Sequence, residues 1–288
     1  MRSHRSLSRQ EKALLASTVQ LASNLFVAAD DHSEGGFHAP SLDEFFPEAF
    51  LFAGTPFEIN RIMMIRILMT ILVVLVFWLG TRNLRLIPTR GQSLIEMGLD
   101  FVRVNIAEEM LGKVDGKRFL PLLTSMFFMI FAFNITGIIP GLNIAGSSVI
   151  GLPLVLAVVA YVAFIYAGVK KAPVGFFRNA LFPPGVPVWL YPIVAPIEFL
   201  STFVIRPVTL TLRLLMNMVV GHLLLVLMFA ATHFFIVQGA GAIKALGAAT
   251  LLFGLAFTLF EILVAVLQAY VFTVLSAVYI QLALAEEH

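Results

Sequence analysis

Between residues 192 and 285 the chain carries five formal charges in 94 positions: Glu198, Arg206, Arg213, Lys244 and Glu261. Lys244 follows Gly239 and Gly241, and Arg206 precedes Pro207, so both stand beside breaks in the chain. Arg213 and Glu261 stand deep inside apolar runs. A charge there costs about 2.5–3.5 kcal/mol on insertion scales, and groups so placed face a bundle interior or water and mark an ion path. Arginine does not release its proton under such conditions, so Arg213 can be a barrier or an electrostatic partner but not a relay. His222 and Glu261 are the groups that can pass a proton on. No Gly-rich phosphate loop, nucleophile elbow, metal-ligand cluster or nucleotide fingerprint is present, so no cofactor, metal or catalytic site of its own is expected. The absence of Cys excludes disulfides, thiolate catalysis and Cys-based metal sites.

Helical phase organises these groups. Asn217 is four residues past Arg213 and shares its face. His222 is nine past, which puts it about 180° around and about 13.5 Å along the axis. Glu261 and Gln268 are seven apart and nearly aligned. Two long helices joined at Gly239–Gly241 must run antiparallel. Counting outward from that turn sets His222 level with Glu261, and Arg213 level with Gln268. A packing salt bridge between Arg213 and Glu261 is the bland alternative, and the mismatch in depth argues against it. Glu198 reads equally as a half-channel carboxylate or as a snorkelling surface group. His233 reads as an interfacial histidine near the turn. Asn134 and Thr136 read as interhelical hydrogen-bond groups, and Tyr279 and Gln281 as a weak polar seam.

The elements that must position these groups follow from composition. Of 288 residues, 59% are hydrophobic and 12% charged, too little polar surface for a soluble domain of this size. A net charge of +2 offers no case for nucleic acid. Residues 1–60 form a separate segment on the outer side, ending in an acidic stretch, and 61–288 form the membrane domain. Ser17, Thr18, Gln20, Ser23 and Asn24 dilute the run at 13–29, which reads as a tail, with a cleaved signal sequence as the alternative. Spans are expected at 62–79, 119–139 and 149–169. Residues 92–111 alternate apolar and charged positions at helical spacing and read as an amphipathic surface helix. Segments 192–237 and 242–285 are each about twice the 20 residues that cross a bilayer once, so they are either four spans or two long tilted helices. Residues 182–187, rich in Pro and Gly, are a break. Arg82, Arg85, Arg90, Lys113, Lys117, Arg118, Lys170, Lys171 and Arg178 gather on one side, which the positive-inside rule makes cytoplasmic. Arg61 and Arg66 count against that asymmetry.

The run Pro207-Val-Thr-Leu-Thr-Leu-Arg213-Leu-Leu-Met-Asn217-Met-Val-Val-Gly221-His222 resembles the signature of subunit a of F-type ATP synthases: an arginine, an asparagine four on and a polar residue nine on. Glu261-Ile-Leu-Val-Ala-Val-Leu-Gln268-Ala-Tyr-Val-Phe resembles that family's last helix, and the stretch 127–140 resembles an earlier one. The texture is similar to actinobacterial members. Two departures stand out. Some bacterial members carry Glu nine past the arginine and His on the last helix, the reverse of His222 and Glu261. The stretch from Glu198 to Arg206 is one residue longer than in many members.

The resemblance implies an all-α integral membrane protein of one spanning helix, an amphipathic surface helix, a spanning hairpin and a long tilted two-helix hairpin against the c-ring. It implies a multi-pass subunit of a bacterial plasma membrane, with the N-terminus outside and the C-terminus cytoplasmic. Its partners would be the c-ring, b-type peripheral stalk subunits and the rest of the ATP synthase. It implies two offset half-channels, with Arg213 keeping them apart and His222, Glu261, Asn217, Gln268 and Glu198 on the proton path. A secondary transporter is one rival, disfavoured because no internal repeat is visible. A scaffold without an ion path is the other.

Overall fold

The computed structural model describes residues 59–82, 89–139, 142, 145–182, 187–237, 239, 241 and 243–285. The expectations for residues 1–58, for Arg85 and for the acidic end at 286–288 lie outside these. Among the described residues, five helical runs are long and apolar enough to cross a membrane: Arg61–Arg82, Arg90–Ile135, Gly151–Lys171, Tyr191–Val237 and Ile243–Leu284. The protein is an all-α integral membrane protein. Its buried core includes Val102, Ile106, Leu123, Ile130, Leu214 and Phe272, with Ala157, Ala160, Ala167, Ala269 and Ala277. Without a hydrophobic drive between helices in lipid, such small residues let backbones approach and gain dispersion contact.

Helix α1 is Arg61–Arg82. Arg61 and Arg66, expected to weigh against the charge asymmetry, are consumed locally instead. Arg66 Nε donates to Gly146 O at 2.7 Å and its Nη2 to Val149 O at 3.2 Å, while Arg61 Nη2 donates to Leu142 O at 2.9 Å. Both guanidinium groups thus serve carbonyls of the uncharged loop that precedes α4.

Helix α2, Arg90–Val102, is capped by the Thr89 side chain and continues as a π-helical turn, Arg103–Glu108. It overlaps the stretch 92–111 read from the sequence as an amphipathic surface helix. It buries Val102 and Ile106 and leaves Leu94 and Met97 exposed. At Gly112 φ is +74°, a backbone region that favours glycine. The run Arg90–Ile135 is therefore two helices, and α3, Glu109–Ile135, folds back on the π turn. Gly116 permits the approach, since a Cβ there would lie 2.8 Å from Ala107 O.

Helix α4 is Gly151–Lys171 and the short α5 is Pro173–Leu181, a helix that the sequence reading did not foresee. Lys171 Nζ donates to Leu284 O at 2.7 Å, closing the last turn of α8 and setting the ends of α4 and α8 together.

Helix α6, Tyr191–Leu200, passes through a π-helical turn, Ser201–Ile205, into α7, Arg206–Val237, and α8 is Ile243–Leu284. Of the two expected alternatives, each apolar segment is one continuous helical run rather than two spans. The π turn falls between Glu198 and Arg206, the stretch where the resemblance leads one to expect an extra residue. An extra residue inside a continuous helix is absorbed by such a turn, here through Arg206 N–H to Ser201 O.

The chain divides into two compact units. Leu225–Leu255 belongs to one. Within it Thr232 Oγ1 donates to Thr250 Oγ1 at 2.9 Å, and Gly241 adopts φ +57° at the turn. The other unit holds the remaining described residues and all the site described next.

Candidate functional site

Leu210, Leu214 and Met218 are buried at four-residue spacing along α7, and His222, 5% exposed, continues that stripe. Arg213 and Asn217 stand on the other side of the helix, exposed among Leu212, Met216 and Val220. The opposition of Arg213 and His222 expected from helical phase is therefore present.

On α8, Glu261, Ala265, Gln268, Ala269 and Phe272 form the buried stripe. Most buried hydroxyls near it are already satisfied within their own helices: Thr273 Oγ1 donates to Ala269 O, Ser276 Oγ to Phe272 O and Thr211 Oγ1 to Pro207 O, each at 2.8 Å. Glu261 Oε2 and Gln268 Nε2 are different, being buried without a hydrogen-bond partner. A buried polar group in that condition costs about 1–3 kcal/mol, and its retention points to use rather than packing.

The two helices meet through two polar approaches. Asn217 Nδ2 donates to Gln268 Oε1 at 2.7 Å. One turn further along α7, Glu261 Oε1 lies so close to Gly221 that a Cβ on that residue would be 2.8 Å away. The carboxyl thus reaches the α7 backbone one residue before His222. Matching residues by depth placed Arg213 opposite Gln268; the structure puts Asn217 in that role. Depth counting treats residues as points, but Asn and Gln side chains each reach several ångströms along the helix and link positions about a turn apart.

Among the described residues Arg213 has no ion-pair partner, and the salt bridge present there is Arg103–Glu108 at 2.8 Å. The packing alternative for Arg213 and Glu261 is absent. Glu198 is half-buried on α6, apart from this cluster. The Arg206 guanidinium lies 5.5 Å from the Tyr279 ring centroid, and the Tyr161 hydroxyl is buried without a hydrogen-bond partner. His233 is exposed near the end of α7. Asn134 and Thr136 both bond to the loop before α4. Ser147 Oγ donates to Asn134 Oδ1 at 2.6 Å and Gly146 N to Thr136 Oγ1 at 3.1 Å. Sequence reasoning passed over Gly221, although a glycine directly before a buried His in an apolar helix was a readable sign of close approach.

The ATP synthase A chain family matches residues 62–281. ATP synthase subunit a of Rhodococcus erythropolis is 51% identical over 266 residues, covering 91% of this chain and 94% of that protein. That of Pseudarthrobacter chlorophenolicus is 36% identical over 263 residues, covering 91% and 99%. The Streptomyces lividans protein of the same name is 34% identical over 255 residues, covering 88% and 90%. The matched span runs from the start of α1 almost to the end of α8 and takes in Arg213, His222 and Glu261, and the chain belongs to the ATP synthase A chain family.

Proposed function

We propose that this chain is the proton-translocating stator subunit of a rotary F-type ATP synthase, with no catalytic site of its own. The observation that carries this reading is the exposure of Arg213 on an apolar helix face, unpaired by any acid among the described residues, while Glu261 is buried elsewhere. A cation in that position is stable only if an anion comes to it from outside the chain. A carboxylate on each c subunit, delivered in turn by the ring, supplies that anion.

Protons enter from outside past His222 and Glu261, with Asn217 and Gln268 orienting the path, and load the ring carboxylate. The buried Glu261 Oε2 and Gln268 Nε2, which have no hydrogen-bond partner, suit such a path. Arg213 cannot transmit a proton. It keeps the two half-channels apart and favours ionisation of each arriving carboxylate. The proton then leaves toward the cytoplasm near Glu198. The driving force is worth about 2.3 kcal/mol per charge per 100 mV. The joined ends of α4 and α8, with Lys170 and Lys171, support a cytoplasmic C-terminus and an outer N-terminus by the positive-inside rule. The c-ring, b-type stalk subunits and the remaining synthase are the partners of this reading.

The test is Arg213→Ala in the assembled synthase. Proton-driven ATP synthesis is expected to be lost while the complex still assembles, and normal synthesis in that variant would sink the proposal.

A further inference from the structure

A second cluster of charge lies away from the Arg213 face. Arg118, at the start of the spanning part of α3, and Lys170, in the last turn of α4, converge on one hydroxyl. Arg118 Nη2 donates to Tyr166 Oη at 3.1 Å and Lys170 Nζ donates to the same oxygen at 3.3 Å. Both cations also lie over the ring, 5.3 Å and 5.6 Å from its centroid. Two like charges on one phenol repel, and no acid among the described residues forms an ion pair with either. Each cation spends only part of its donor capacity here: a guanidinium has five N–H groups and an ammonium three.

Beside this cluster α4 presents a groove of about 340 Å³ lined by Val162, Ile165, Tyr166, Val169 and Lys170. Val162 is 58% exposed and Tyr166 51%. The groove is apolar along its length and cationic at the mouth. A helix about 10 Å across does not fit within walls supplied by two turns of a single helix, whereas an acyl chain does. Basic pockets between spanning helices suit anionic lipid head groups, and a phosphodiester accepts hydrogen bonds from both kinds of donor present.

We infer that Arg118, Lys170 and Tyr166 form a binding site for an anionic glycerophospholipid, whose phosphate sits between the two cations and whose acyl chain follows the α4 groove. The phosphate removes the repulsion that the two cations otherwise carry, and it ties α3 to α4 at the basic end of the bundle.

The test places a photoreactive side chain in the groove, Val162→p-benzoylphenylalanine, in the whole synthase reconstituted into vesicles of one part phosphatidylglycerol to three parts phosphatidylcholine. Cross-linking is expected to favour phosphatidylglycerol over phosphatidylcholine about tenfold relative to each lipid's share of the vesicle, a difference within reach of two charge-assisted contacts. Arg118→Gln with Lys170→Gln should return it to those shares in an assembled complex. The pair Arg82→Gln with Lys113→Gln, removing the same charge elsewhere, should leave it enriched. Enrichment lost equally in both pairs would reduce the effect to diffuse surface charge and overturn the site. So would cross-linking in proportion to lipid composition, cross-linking to a protein subunit, or displacement by millimolar inorganic phosphate, which would mark a free-anion site.

Discussion

At the scale of single residues, the site depends on how closely Glu261 approaches α7. Its carboxyl reaches the backbone because Gly221 has no Cβ, and an alanine there would put a carbon 2.8 Å from Oε1. A neighbour that close must move, and the carboxyl is the flexible partner. Gly221→Ala is therefore expected to leave assembly intact while lowering proton flux about tenfold, since a misplaced transfer group costs that order in rate. Passive proton uptake into energised vesicles, measured beside a count of assembled complexes, checks it; unchanged flux would remove the close approach from the mechanism. Glu261→Gln keeps the shape and hydrogen-bonding reach but cannot cycle a proton through the site. It should slow proton delivery from the outer side more than Gly221→Ala does. Equal flux in wild type and Glu261→Gln would show that His222 suffices. Arg213, Asn217, His222, Glu261 and Gln268 were all legible in the sequence because polar residues are rare in apolar helices and phase assigns each a face. Which of them touch was not legible, because side-chain length decides contacts between positions a turn apart.

At the scale of elements, the number and length of the spanning helices follow from apolar run length. The π turns do not, because a single added residue changes helical phase without changing composition. The turn Ser201–Ile205 sets the face that Glu198 presents relative to Arg213. Removing Val204 should convert it to regular α-helix and turn Glu198 by about 100° against α7. If Glu198 lines a half-channel, flux falls in the assembled deletion variant. If it is a snorkelling carboxylate on the surface, flux is kept. The guanidinium clasp on the loop before α4 was equally hidden, since charge counting treats Arg61 and Arg66 as topology signals rather than as donors. Arg66→Gln removes charge-assisted donors from Gly146 O and Val149 O. Amide exchange at 146–149 should rise about tenfold or more, the loss of one such bond being worth about 1.5–3 kcal/mol. Unchanged protection would mean that the loop is held without the Arg66 donors.

At the scale of the whole molecule, the exposed surface is the informative part. In the larger unit the α7 face with Val208, Leu212, Met216 and Val220 is exposed, as is the α8 face with Leu259, Leu263 and Leu267. Lipid alone satisfies such faces, but it does not satisfy Arg213 in their midst. On α1, Leu68 and Ile71 are comparably exposed with no charge among them. The two surfaces therefore make different demands: one needs only hydrocarbon, the other needs hydrocarbon and an anion at one depth. If the c-ring meets that demand, Met216 lies at the contact, on the exposed side of α7 one turn past Leu212. The chain contains no Cys, so single cysteines report position without background from this subunit. Met216→Cys should form a disulfide, on oxidation of intact membranes, with a cysteine placed one turn from the c-subunit carboxylate. Leu68→Cys should form none with the same partner. A disulfide from both positions would mean that the ring contact is not confined to the Arg213 face, and a disulfide from neither would place the ring on another surface.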